Sequence, residues 1–135
     1  MKKHISIITI NFNNAEGLQR TIDSVVKQDY RGIEYIVIDG GSTDESLNII
    51  KTYQDNISYW VSEPDNGIYS AMNKGIVKAT GDYLLFLNGG DYLVDDSTIS
   101  KYLEVFDNKD LVVFDVMLNI PSIGEKRHTH PKDLH

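Results

Sequence analysis

The stretch Ile33-Glu34-Tyr35-Ile36-Val37-Ile38-Asp39-Gly40-Gly41-Ser42-Thr43-Asp44-Glu45 decides the fold. Residues 33–38 are mostly β-branched or aromatic, in a run too short for a stable isolated helix and suited to a buried strand. The run breaks on a carboxylate and two glycines. Ser42 with Glu45 three residues on has capping-box spacing, and Leu47 with Ile50 gives the following helix an apolar side. A buried strand that turns through glycine into a helix is half of a βαβ unit, the connection that parallel strands require.

The same alternation extends in both directions. Upstream, Ile5–Ile10 reads as a central strand covered on both faces and bounded by Asn11, Asn13 and Asn14. Leu18, Ile22, Val25 and Val26 fall on one helical stripe, which predicts a helix from about Ala15 to Gln28. Downstream, Ile57–Val61 reads as a shorter strand. The polar turn Glu63-Pro64-Asp65-Asn66-Gly67 leads to a helix carrying Ile68, Met72 and Ile76, which Gly81 is expected to stop. Tyr83–Leu87 is almost wholly apolar and is expected to be the most buried strand; Asn88-Gly89-Gly90-Asp91 ends it. Ile99, Leu103 and Phe106 mark another helix, and Leu111–Leu118 a last strand. The order β-α-β-α-β-α-β-α-β predicts an α/β/α sandwich with a mostly parallel central sheet. Residues 1–120 are expected to form one domain and 121–135 an irregular tail or truncated connector.

Composition narrows the function. The chain has 135 residues, enough for one core. Its 13 Lys and Arg against 20 Asp and Glu give a net charge of −7, which weighs against nonspecific nucleic-acid or anionic-lipid binding. A phosphate ligand stays open, because backbone N–H groups and a metal override global charge. No apolar run approaches the roughly 20 residues that span a bilayer, and Met1-Lys2-Lys3-His4 leads into a strand, not a signal peptide. The absence of cysteine excludes disulfides, a thiolate nucleophile and cysteine-bound zinc, and fits a cytoplasmic protein.

In such a sheet, ligands collect beyond the C-terminal ends of the strands, near a switch in strand order. Three strand ends here are polar, and two of them are glycine-rich: 11–14, 39–42 and 88–91. Asp39 would accept from a ribose hydroxyl or a base N–H, or else close its turn or cap the next helix. Asp44 is explained by the helix dipole. Asp91 would hold a hard divalent cation that bridges diphosphate oxygens, or serve an Asx-turn. Asn88 suits a sugar hydroxyl. Pro64 and Asn66-Gly67 would present Asp65 to the same crevice, while Lys74 would neutralise phosphate or remain solvated. Walker, Gly-x-Gly-x-x-Gly and Gly-x-Ser-x-Gly patterns are absent. The loop 11–14 is neither basic nor glycine-rich, which disfavours a sugar-1-phosphate nucleotidyltransferase. His128, His130 and His135 lie in the irregular tail, where their density would bind a metal adventitiously or else mark no more than a flexible or locally folded terminus.

Taken in order, 6–13, 37–44, 62–69, 71–75 and 86–91 resemble the corresponding segments of family 2 glycosyltransferases with the GT-A (Rossmann-like) fold. The resemblance implies a nucleotide-diphosphate-sugar site lined by Asn11 and Asn13. Asp39 would be on the base, often uracil, and Asp65 near it, with Asn73 and Lys74 retained from the phosphate segment. Asn88 and Asp91 would stand in the metal- and ribose-contacting Asp-x-Asp region, with Mn2+ or Mg2+ as cofactor. It implies inverting transfer from a UDP-sugar to a hydroxyl of a saccharide or lipid-linked acceptor in cell-surface polysaccharide synthesis. The setting would be cytoplasmic, with the parent protein peripheral at the inner membrane face. Two departures stand out: Asn88 and Gly90 replace the usual carboxylates, and Met72 replaces an arginine. The family's acceptor site and base lie in a C-terminal half with no counterpart after Leu118; Asp115 is a poor candidate. The sequence is therefore expected to be a truncated enzyme, incomplete at the C-terminus, with an exposed sheet edge that promotes homo-oligomers. The alternative is a non-catalytic nucleotide-sugar-binding or interaction module.

Overall fold

The computed structural model describes residues 3–106 and 118–119. Its strands and helices are β1 (Ile5–Asn11), α1 (Ala15–Val26), β2 (Ile33–Asp39), α2 (Ser46–Thr52), β3 (Tyr59–Ser62), α3 (Ile68–Lys78), β4 (Tyr83–Phe86), β5 (Tyr92–Leu93), α4 (Thr98–Phe106) and β6 (Leu118–Asn119). The first four strands form a parallel sheet in the order β3-β2-β1-β4. The chain therefore winds outward from β1 through β2 to β3, then returns to the other side of β1. Right-handed crossovers made in opposite directions put their helices on opposite faces.

Strand periodicity divides the core accordingly. Ile5, Ile7, Tyr35 and Val37 join Leu18, Ile22, Val25 and Ile50 on one face. Ile8, Ile36 and Ile38 join Ala71 on the other. Ile5, Ile7 and Ile8 expose no surface, so β1 is the central strand buried on both faces. Burial of each such isoleucine contributes about 1.5–3 kcal/mol. The register pairs Asn11 with Asp39 and Asp39 with Ser62, aligning three polar strand ends side by side.

Several local expectations are corrected. β4 is not the most buried strand: it flanks β1 at the margin of the described sheet, and Leu84 is 44% exposed. The Ser42–Glu45 capping box does not form. Ser42 is drawn to Asp39 instead, and α2 begins only at Ser46, whose N–H is taken by Asp44. In α3 the apolar residues Ile68 and Ile76 face outward, while Ala71 and Gly75 form the buried side. α3 ends at Lys78, before Gly81, which packs against Ser6. α1 ends at Val26, and the Gln28 side chain turns to the backbone of Asp95 and Ile99. Most of the expected strand 111–118, Asp115 and the tail 121–135 lie outside the described residues; Leu118–Asn119 pairs antiparallel with β5. Among the described residues no helix is long and apolar enough to cross a membrane.

Candidate functional site

The ends of β1 and β2, the turn before α3 and the Asn88–Gly89 turn surround a cleft of about 740 Å³. Its foundation is a buried polar network. Asn11 Nδ2 donates to Asp39 Oδ1 and to Ser46 Oγ, both at 3.0 Å. Ser42 Oγ donates to the same Asp39 oxygen at 2.7 Å. Asp39 Oδ2 accepts from Gly41 N at 3.2 Å, Ser42 N at 2.8 Å and Ser62 Oγ at 2.8 Å. Asp39 exposes no surface. A buried carboxylate without a cation is tolerable only when its lone pairs are filled by donors, and here the donors come from β1, β3 and the glycine turn. A base N–H could reach Asp39 only by displacing one of them.

Asp39 also fixes the orientation of Asn11. A carboxylate oxygen demands the amide nitrogen, so Asn11 Oδ1 is turned away and remains buried with no hydrogen-bond partner among the described residues. That oxygen abuts Gly89, where an added Cβ would stand 2.4 Å from it. Glycine is thus required for the Asn88–Asp91 turn to close over β1. Asn13, in the left-handed region at φ 49°, donates its N–H to Ser42 Oγ and accepts from Thr43 N, both at 2.8 Å. It braces the glycine turn from outside. Asp44 accepts from Ala15 N and Ser46 N at the starts of α1 and α2; hydrogen bonding with the Ser46 side chain first, then with the N–H groups of Ser46 and Ala15, holds its carboxyl below the ordinary range.

Above this foundation the cleft is open. Asp65 is half-buried at its rim, where it accepts from Gly67 N at 3.3 Å. Phe12, 61% exposed, lies alongside. A Cβ on Gly40 would be 3.3 Å from Asp65 Oδ2 and 3.4 Å from Phe12 Cδ1, so the ring and the carboxylate border one space over Gly40. An aromatic face beside an acceptor suits a planar group with N–H donors. Asn88 is exposed on the opposite wall.

Asp91 stands behind that wall. Its Oδ2 accepts from Asn88 N at 3.1 Å, and its own N–H donates to Asn88 O at 2.9 Å. Burial raises its carboxyl pKa, with the Asn88 N–H opposing. Among the described residues no three His, Cys, Asp or Glu side chains converge, and Asp91 pairs with no cation. One carboxylate fits a hard cation that keeps its waters and takes its remaining oxygens from substrate phosphates, not a cage made of protein alone.

Asn11, Asp65 and Asn88 therefore line the cleft, Asn13 braces it and Asp39 lies beneath it. Asn73 and Lys74 do not join them. Because Ala71 and Gly75 face the sheet, the intervening positions rotate away. Asn73 and Lys74 border a second cleft, of about 480 Å³, where Lys74 Nζ pairs with Glu63 Oε2 at 3.1 Å. Residue-level reading missed Phe12 and Thr21. The signal for Thr21 was a polar residue set in the apolar stripe of Leu18, Ile22 and Val25, all of which are buried with it.

The family model described as glycosyl transferase family 2 matches residues 6–134. An uncharacterized glycosyltransferase of Mycobacterium tuberculosis is 46% identical over 106 residues, which is 78% of this chain and 40% of that protein. A PGL/p-HBAD biosynthesis glycosyltransferase of Mycobacterium bovis is 35% identical over 119 residues, 84% of this chain and 46% of that protein. The chain thus spans less than half the length of these relatives. Among solved structures, the mannosyltransferase PcManGT from Pyrobaculum calidifontis, in complex with GDP-Man and Mn2+, superposes with a TM-score of 0.74 at 18% identity, covering 83% of this chain and 34% of that one. Staphylococcus aureus TarS residues 1–349 in complex with UDP gives 0.69 at 25% identity, covering 77% and 32%.

Proposed function

The chain belongs to glycosyl transferase family 2, and from that premise we propose that it forms the donor-binding part of an inverting glycosyltransferase, with a nucleotide-diphosphate-sugar seated over Gly40 and Gly89. What supports this reading most directly is the cleft itself, in which an exposed aromatic ring, a rim carboxylate and a buried amide oxygen with no partner among the described residues meet at the strand ends. The base of a UDP-sugar stacks on Phe12 and gives an N–H to Asp65. Asn11 and Asn88 serve the nucleotide's hydroxyls and amide groups. Asp39 and Asn13 hold the glycine turn in place from below and outside, and Asn73 and Lys74 take no part in donor binding. The domain comprises residues 1–120.

The diphosphate lies toward the turn of Asn88 to Asp91, where Asp91 would hold Mn2+ or Mg2+. When bound, the cation neutralises charge on the departing diphosphate. A hydroxyl of a saccharide or lipid-linked acceptor attacks the anomeric carbon opposite the diphosphate. The new C–O bond forms as the bond to the phosphate oxygen breaks, which inverts the centre, and the hydroxyl proton passes to a carboxylate. No described residue is assigned as that base. The wider setting is cell-surface polysaccharide synthesis at the cytoplasmic face of the membrane.

A panel of UDP- and GDP-sugars with Mn2+ tests the reading in the intact protein, by following heat of binding and sugar transfer together. UDP-sugar binding with transfer is expected. Binding without transfer would favour a non-catalytic nucleotide-sugar module, which the single carboxylate at 88–91 keeps as the second reading. No binding of any sugar nucleotide would end both. Asp91→Asn is expected to weaken binding with Mn2+ more than binding without it. Self-association through the margin of β4, where Leu84 is exposed, is tested by mass in solution; a monomer at high concentration would exclude it.

A further inference from the structure

Helix α1 and the residues that flank it turn a line of polar side chains toward the segment that follows β4. Asn14, Thr21, Ser24 and Gln28 fall within one helical stripe. They meet the backbone of that segment in sequence order. Asn14 Nδ2 donates to Gly89 O at 3.1 Å. Thr21 Oγ1 accepts from Gly90 N at 2.9 Å and donates to Asp91 O at 2.5 Å. Ser24 Oγ accepts from Leu93 N at 3.1 Å, while Gln28 donates to Asp95 O at 2.6 Å and accepts from Ile99 N at 3.1 Å.

Thr21 is the centre of this seam and exposes no surface. Its hydroxyl also lies 3.0 Å from Gly17 O and 3.3 Å from Asn88 O, but its single proton is best used at Asp91, the shortest of the three. Gly90 has φ 107°, in the left-handed region, and follows another glycine. Such a pair has the greatest backbone freedom in a chain, so an untethered turn would let Asp91 wander. Thr21 grips the turn on both sides of the Gly90–Asp91 peptide, while the Asp91 carboxylate is held by Asn88 N.

We infer that Thr21 is a positioning residue that fixes the Asn88–Asp91 turn and so couples divalent-cation binding at Asp91 to nucleotide binding in the cleft. The inference rests on the donor reading above. It requires no contact between Thr21 and any ligand.

The test measures UDP affinity with and without Mn2+ in the intact protein, for wild type, Thr21→Val and Thr21→Ser, together with hydrogen exchange at the Gly90 amide. Valine keeps the shape and leaves both backbone groups unpaired. Wild type is expected to bind UDP about tenfold more tightly with Mn2+. Thr21→Val is expected to keep its metal-free affinity within about twofold, lose most of the Mn2+ gain and exchange faster at Gly90; serine restores both. The full Mn2+ gain in Thr21→Val, or an equal loss with and without metal, overturns the inference and leaves the donor reading intact. No Mn2+ gain in wild type removes the cation reading and the inference with it, whereas no UDP binding at all removes the donor reading. If Thr21→Val does not fold, Thr21→Ala carries the same comparison with the same deciding outcomes.

Discussion

Asp65 lies against Gly40 on one side of the cleft, where a Cβ at position 40 would stand 3.3 Å from Asp65 Oδ2. The two residues come from different loops, one after β2 and one before α3, yet they form a single surface. Asp65→Asn replaces half of the acceptor by a donor. It is expected to weaken UDP binding by about 1–3 kcal/mol, the range for leaving a desolvated N–H unmatched. Gly40→Ala crowds both Asp65 and Phe12 and is expected to weaken binding less. Titration calorimetry on the folded variants decides: unchanged affinity in Asp65→Asn takes that carboxylate out of the site.

Asp39 calls for the opposite expectation. Its two oxygens take five donors from its own chain, drawn from β1, β3 and the glycine turn. Asp39→Asn sets an amide N–H2 against some of those donors and strands them in a buried position. A stability loss of about 3 kcal/mol is expected, comparable to breaking a buried charged network. Thermal or urea unfolding measures it. A variant as stable as wild type that lost only nucleotide affinity would make Asp39 a ligand contact instead.

The alternation that makes β1 and β2 strands was legible because those strands are buried on both faces and read as continuous β-branched runs. Two of the three polar strand ends, 39–42 and 88–91, were legible for a related reason: glycine and carboxylate after an apolar strand are uncommon without a use. What was not legible is which way each side chain turns. Asp39 and Asp65 have the same chemistry, and only the register of Asn11 with Asp39 and of Asp39 with Ser62 decides that one is sealed beneath the cleft. Lys74 read either as a phosphate contact or as a solvated surface lysine. The rotation set by Ala71 and Gly75 sends it to Glu63. The Ser42–Glu45 spacing was a local signal overridden by a stronger acceptor, the buried Asp39 carboxylate.

Glu34 braces the opposite end of the sheet and gives a pH signature. Its Oε1 accepts from Ser6 Oγ at 2.7 Å and Thr80 N at 2.8 Å, and its Oε2 accepts from Thr80 Oγ1 at 3.0 Å. Partial burial pushes its pKa up, but the bonds from Ser6 and Thr80 outweigh that and leave it below the ordinary glutamate range. A folded pKa below the unfolded one gives stability that is present above the unfolded value and lost as pH falls through the folded value. Glu34→Gln is therefore expected to be less stable than wild type at pH 7, by no more than about 1 kcal/mol given its solvent access. The gap should close on acidification below about pH 4. A gap independent of pH, in parallel urea titrations, would place the effect elsewhere.

Gly75 sets two effects of known sign against each other. In a helix interior, Gly→Ala stabilises by about 1 kcal/mol through backbone entropy. Here, however, the new Cβ would lie 2.5 Å from Ile8 Cγ2, on the central strand, where a contact that close forces a shift. Overpacking of a tight core costs about 1–3 kcal/mol, and the side chain in the way is a branched, fully buried isoleucine with few rotamers to offer. The steric term should win, so Gly75→Ala is expected to lower the unfolding midpoint. Ile8→Leu, which removes the Cγ2 branch, should recover part of the loss in the double variant. The interaction energy from that double-mutant cycle isolates the contact from helix propensity. If Gly75→Ala were stabilising, α3 would not be seated on β1 through Gly75, and the rotation that carries Lys74 out of the donor cleft would lose its cause.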